Sequence, residues 1–343
     1  MQSKPEEFFA SANSGYGFIN MFADAFKDLE HLYIIKGGSG TGKSSFMKRA
    51  AKYAQKRGYR VEYCLCSSDP DSIDGIIIHG IEVGIIDGTS PHNADTKYPG
   101  AYDEIINTGD FWNSGILIKK RDKIEKLTDY KQMLYKRSYL FLKAALCIES
   151  AYDSIIAPAV NQAKLRSAVS RIYKSIDPSK TGGTSIRISN AITMKGYVTL
   201  NRYESCKSIY KLDDRYGISH IFLNELEAML TENRIMHTVS LCPLDTNKIN
   251  GIYLDECDML FTTEEYGNIR KRINTQRFVF TDKADTAVLR RLKKQRSTLL
   301  NEAYGVLKEI KDIHFTLEGI YSSAMDFEAL NAYTEMLLPK IIK

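Results

Sequence analysis

The chain has 343 residues, of which 43% are hydrophobic and 26% charged, and a net charge of +5. That length accommodates two domains of ordinary size, and the composition is globular rather than disordered or fibrous. The mild basic excess disfavours a dedicated nucleic-acid binder, six scattered cysteines exclude a dense disulfide scaffold, and no apolar run is long enough to cross a bilayer.

The opening segment Met1–Glu7 has no hydrophobic signal core, which points to a cytoplasmic protein. Tyr16 and Phe18 have faces able to stack on a base, although core packing is the commoner fate of such aromatics. His31–Lys36 is a short apolar run suited to a buried parallel strand. Ser45–Arg57 reads as a helix with Phe46, Met47, Ala50, Ala51 and Ala54 on one face. Between them, Gly37, Gly38, Ser39, Gly40, Thr41, Gly42, Lys43 and Ser44 satisfy G-x-x-x-x-G-K-[ST] at every position. A random chain of this length contains that string about once in 100 cases.

Those residue types suit one task. Glycines let the backbone approach a polyphosphate without a Cβ in the way. Successive N–H groups, including that of Ser45, form an anion nest at the positive end of the following helix. Lys43 supplies a point charge to the β- and γ-phosphates, and Ser44 a hydroxyl for Mg²⁺. A plain glycine turn would explain the glycines but not Lys43 and Ser44 in register.

A second strand, residues 59–66, leads into Cys66–Asp69 and would bring that loop to the same sheet edge. Asp69, Asp71 and Asp74 are therefore candidates to orient or deprotonate a nucleophile, with Asp74 carried as catalytic together with Lys43. Cys64 and Cys66 alternate along the strand and read as buried free thiols. Val83–Asp87 is an apolar run ending in a carboxylate, the pattern needed to hold the Mg²⁺ hydration shell, so Asp87 is the expected metal and catalytic residue. An aspartate opening a turn is the plainer alternative. His92 follows as a phosphate-sensing candidate, with an exposed loop histidine as the alternative. Asp255, after Ile252–Leu254, imitates the same pattern but falls in the wrong half.

The chain is written twice. Cys66, Asp69, Ile73, Gly75 and Ile76 coincide with Cys242, Asp245, Ile249, Gly251 and Ile252 at a constant offset, 242 − 66 = 176. Glu149 and Tyr152 are echoed by Glu318 and Tyr321. In this register Gly42, Lys43 and Ser44 meet Ile218, Ser219 and His220, Gly37 meets Asp213, and Asp87 meets Thr263, so the second copy is expected to be vestigial. The fold expected is α/β: a mostly parallel P-loop-type sheet with flanking helices, duplicated, each half carrying a helical appendage and the second half degenerate. The expected divisions are a core over 1–115, an appendage over 116–176, a linker over 177–184, a degenerate core over 185–264 and an appendage over 265–343. Ile124, Leu127, Met133, Leu134, Leu140, Leu142 and Leu146 are expected to form the core of the first appendage, and the basic run Arg290–Arg296 a solvated face.

The strings Tyr33–Ser44, Cys66–Gly75, Asp87–His92 and Lys97–Gly100 resemble an uncharacterised bacterial family of tandem P-loop ATPases or nucleotide-kinase-like proteins. The resemblance is specific over residues 8–112. It implies ATP binding, and it departs from relatives that carry a second glycine-rich loop. The leading functional expectation is Mg²⁺-dependent ATP hydrolysis coupled to a conformational change, with one active and one vestigial site. The alternatives are a small-molecule or nucleotide kinase, whose basic appendage closes as a lid, and an ATP-sensing scaffold with little turnover that binds a protein through its helices. ATP and Mg²⁺ are the expected ligands; neither nucleic acid nor membrane is an expected partner.

Overall fold

A computed structural model describes residues 6–176 and 181–343; residues 177–180 of the expected linker lie outside them. The first half runs β1 (Glu6–Phe9), β2 (Ser11–Ser14), β3 (Gly17–Asn20), α1 (Phe22–Ala25), β4 (His31–Lys36), α2 (Lys43–Lys56), β5 (Val61–Leu65), β6 (Ile73–Ile78), β7 (Val83–Asp87) and β8 (Asp103–Asn107). Three helices follow: α3 (Ser114–Lys119), α4 (Arg121–Ile156) and α5 (Gln162–Tyr173). The second half repeats the plan with β9 (Thr184–Ile186), β10 (Asn190–Thr193), β11 (Gly196–Thr199), β12 (Ser208–Asp213), α6 (Ser219–Glu232), β13 (His237–Leu241), β14 (Ile249–Leu254), β15 (Met259–Thr262) and β16 (Ile269–Asn274). It ends with α7 (Thr286–Ser322) and α8 (Phe327–Ile341).

Two six-stranded sheets result, ordered β1-β5-β6-β7-β4-β8 and β9-β13-β14-β15-β12-β16. They are the same sheet built twice, and both are mixed. In the first, β1–β5, β4–β7 and β4–β8 pair parallel, while β6 runs antiparallel to both neighbours. The second follows suit, with β14 antiparallel to β13 and β15. Sequence reading missed β6 as a separate strand. All six of its residues are buried, so it lacks the alternation that marks a half-exposed strand.

One expected boundary moves. Strand β16 lies inside the range expected to be helical appendage, so the second core extends beyond residue 264. The appendages also change owners. Helix α5 contributes Leu165, Ala168 and Val169 to the second core, beside Phe222 and Leu226 of α6. Helix α8 contributes Leu338 and Ile341 to the first core, beside Phe46 and Met47 of α2. Each half is thus completed by the other half's helix.

The exchange runs through α4 and α7, an antiparallel pair of 36 and 37 residues. Lys120 bonds Ser323 at one end, Tyr130 bonds Glu309 further along, and Glu149 meets Arg296 at the other. Leu134, Leu142, Ala145, Ala303, Leu307 and Ile310 fill the seam, and Leu146 is buried as expected. Leu140 and Met133 are instead 68% and 38% exposed, because the apolar stripe facing one partner helix is narrower than the expected bundle face. Contacts between the halves come in reciprocal pairs, as in a two-fold dimer. The Phe9 N–H donates to Ile188 O (2.8 Å) and the Ile188 N–H to Phe9 O (3.1 Å); Gly15 N donates to Leu244 O and Met194 N to Ser68 O, both at 2.9 Å.

Candidate functional site

Because β4, β7 and β8 run parallel, their carboxyl ends open on one sheet edge. The glycine loop 37–42 joins β4 to α2 there. Gly40 and Gly42 adopt φ of +71° and +89°, left-handed values that favour glycine, and Lys43 is the first residue of α2. Lys43 is 9% exposed. Its Nζ donates to Gly38 O (2.6 Å) and Gly37 O (3.3 Å) and lies 3.5 Å from Asp87 Oδ2. Thr41 Oγ1 donates to Gly38 O at 2.9 Å, and Thr108 Oγ1, 2.9 Å from Thr41 Oγ1, donates to Lys36 O. These bonds tie the loop to the ends of β4 and β8. Ser39 is half-buried and Ser45 exposed, while the Ser44 hydroxyl accepts from Ile73 N at 3.3 Å.

Lys43, Asp87 and Asp74 are brought together. Asp87 ends β7 with Oδ1 accepting from Thr89 N–H and O–H, so it both opens a turn and presents Oδ2 to Lys43. Asp74, 5% exposed at the start of β6, lies 3.1 Å through Oδ2 from His92 Nε2. His92 is not the exposed loop residue of the plainer reading: it is 8% exposed and stacked on Phe22, with Phe18 edge-on. Burial opposes its charge, but the hydrogen bond and charge of Asp74, with Asp87 beyond, outweigh burial and the Lys43 ammonium. The His92 pKa is raised.

The other half's helices reach this loop, which no local signal in the sequence announces. A Cβ on Gly38 would lie 3.0 Å from the Tyr321 ring, one on Gly40 2.6 Å from Glu318 O, and one on Gly42 2.8 Å from Leu330. Ser322 Oγ donates to Gly40 O at 2.9 Å. Beside it, Lys131 Nζ sits 2.9 Å from His314 Nδ1, and His314 Nε2 3.4 Å from Glu318 Oε1. Burial lowers the Lys131 pKa, and the Lys43 charge adds to that. The echo of Glu149 by Glu318 was the one available clue to this group.

In the second half the corresponding loop is one residue shorter, since Lys36 and Asp213 both end their strands while α2 and α6 start at 43 and 219. The ungapped register therefore needs one correction: Gly37 meets Asp214, not Asp213. Thr108 and Thr275 confirm it by bonding Lys36 O and Asp213 O respectively. The Asp214 carboxylate folds back onto the α6 N-terminus, accepting from Ile218 N (2.9 Å), Ser219 N (2.8 Å) and Thr275 Oγ1 (3.1 Å). Thr263 and Asn250, opposite Asp87 and Asp74, hydrogen-bond each other as a neutral pair.

The remaining candidates separate from the site. Asp69 Oδ1 accepts from Asp71 N, a local turn, and Asp71 pairs with Lys195 across the halves with its side chain 73% exposed. Tyr16 OH contacts Asp245 and Asn247 of the second half, not the glycine loop. Asp255 lies in the turn between β14 and β15, at the opposite sheet edge. Cys64 and Cys66 are free thiols whose pKa values burial pushes well up. Most of the basic run is exposed, but Arg296 enters a part-buried ion cluster with Glu149.

No protein-family model, curated protein or solved structure matches the chain. The family resemblance therefore rests on the motif residues alone. Among the described residues, no helix is long and apolar enough to cross a membrane, and no group of three or more His, Cys, Asp or Glu side chains is placed to hold a metal ion.

Proposed function

We propose that the first half is a P-loop nucleoside triphosphatase site that binds ATP with Mg²⁺ and couples its hydrolysis to movement of the exchanged helices. The carrying observation is the Lys43–Asp87 pair: an ammonium at the first position of α2 and a carboxylate at the end of the adjacent parallel strand, 3.5 Å apart. The residues fit such a ligand. Two left-handed glycines precede a helix N-terminus that no side chain among the described residues caps, unlike that of α6 with Asp214.

In this reading residues 37–45 cradle the phosphates with backbone amides, and Lys43 leaves the Gly37 and Gly38 carbonyls for phosphate oxygens. Ser44 and Asp87 hold Mg²⁺, which when bound neutralises charge on the terminal phosphates. Lys131 adds a second cation beside the loop. His92, paired with Asp74, would when protonated offset two neighbouring carboxylates. The contacts of Tyr321, Glu318 and Ser322 with the loop support coupling, because loop rearrangement is felt directly by α7.

A specific observation favours the ATP-sensing scaffold as second reading: the carboxylate of Asp74 is engaged by His92 rather than free to activate water. Kinase activity stays a third reading and rests on the basic appendage alone. The deciding experiment measures ATP binding with and without Mg²⁺, then phosphate release without an acceptor. The proposal expects Mg²⁺-dependent binding and acceptor-independent release. Binding without turnover selects the scaffold, acceptor-dependent ADP formation selects the kinase, and absence of nucleotide binding by folded protein rejects all three.

A further inference from the structure

The second half lost its loop lysine, yet its corresponding sheet edge is not closed. A cavity of about 330 Å³ opens there, lined by Lys211, Arg215, Lys248, Lys293 and Arg296 against the carboxylates of Glu149 and Asp214. Volumes of this size suit small ligands. Both acids are already engaged. Asp214 is held by the α6 amides, and Glu149 is shared between Lys248 Nζ at 3.0 Å and Arg296. Lys248 also reaches Asp153 behind the cavity, and Lys211 lies 3.3 Å from Glu265. Arg296 Nε is nevertheless buried without a hydrogen-bond partner, a donor that lacks an acceptor.

These cations are not remnants of a glycine loop. Lys248 stands where the first half has Ser72 (248 − 176 = 72). Arg296 stands where it has Leu127, by the offset that pairs Glu318 and Tyr321 with Glu149 and Tyr152 (318 − 149 = 169; 296 − 169 = 127). The two halves thus carry their positive charge differently, the first on loop Lys43 with Lys131 of α4 beside it, the second on side chains from β12, the Asp245–Lys248 turn and α7. Convergent Lys and Arg groups recognise a phosphoryl dianion without backbone amides. The amides that a triphosphate would need are taken by Asp214.

We propose that this second cavity binds a small phosphomonoester, gripped by Lys248, Arg296 and Lys293. The proposal does not rest on nucleotide binding in the first half. Calorimetry at low ionic strength tests it, with glycerol 3-phosphate, AMP and inorganic phosphate as probes. Saturable, submillimolar binding of an ester is expected, weakened about tenfold or more by Lys248→Met or Arg296→Met. The exposed Lys293→Ala, which threatens folding least, weakens it about threefold. Lys43→Ala, in the other half, leaves it unchanged. The proposal is overturned if folded wild-type protein shows no binding up to about 10 mM ester, or if Lys43→Ala abolishes binding while the Lys293 and Lys248 variants retain it. Inorganic phosphate binding as tightly as either ester would overturn the assignment to an ester.

Discussion

At the end of β4 the chain passes through Gly40 and Gly42 into α2, and Lys43 is bonded to the loop carbonyls and paired with Asp87. At the end of β12 the same turn is one residue shorter, and Asp214 caps α6 with its own carboxylate. One backbone plan therefore carries two opposite answers to the orphan amides of a helix N-terminus. Among the described residues no side chain caps α2 in the first half, whereas the second satisfies these amides internally. The second half keeps the fold while a side-chain carboxylate occupies the helix N-terminus.

The largest effect that would sharpen this contrast comes from Lys43→Ala. Removing the ammonium is expected to cost about 3 kcal/mol of ATP affinity, roughly a hundredfold, by calorimetry, with the melting temperature held. If ATP binds as tightly without Lys43, the first half is no more a nucleotide site than the second. Next, Asp87→Asn is expected to weaken Mg²⁺ by roughly 10–100-fold, the range for damaged metal sites; nucleotide titrations at several Mg²⁺ concentrations read it. Persistence of the full metal effect would move the carboxylate role elsewhere.

Asp214→Ala attacks the other side of the comparison. Loss of its cap is expected to destabilise the protein by about 1–2 kcal/mol in denaturant melts, and it creates no ATP site because Ser219 still replaces the lysine. A gain of nucleotide binding there would show that the carboxylate alone kept the second half silent.

His92 supplies a smaller, pH-dependent test. Its folded pKa is raised, so its stabilising contribution is complete below the ordinary value of about 6.5 and fades as pH rises through the folded pKa. Melts across that window should lose at most about 1.4 kcal/mol per pH unit, and His92→Gln should flatten the slope. Smallest of all, Asp71→Asn removes an exposed pair with Lys195 and is expected to change stability by less than about 1 kcal/mol. A large loss of ATP turnover in that variant would return Asp71 to the site.

Local sequence was enough for the strand, the glycine loop and the presence of α2, though the helix starts at Lys43 rather than Ser45, because left-handed turns and an apolar helix face are written in adjacent residues. The duplication was legible for the same reason: a constant offset survives wherever strands and turns keep their lengths. Reading failed where partners are distant. Strand β6 carries no alternation because both faces are buried. His92 could be read as an exposed loop residue because the groups that bury and pair it, Phe22 and Asp74, are distant in the chain.

Sequence by itself therefore determined the two copies, the elements of the candidate site and the absence of Lys43 from the second copy. Tertiary structure alone decided that α8 returns to the first core while α5 completes the second. It also decided that Asp214 turns onto its own helix, and that Lys131, His314 and Glu318 gather beside a loop far from them in the chain. The reason is physical: helical periodicity says which face is apolar but not which partner buries it. A side-chain oxygen or cation selects its partner only after packing has fixed what lies within hydrogen-bonding reach.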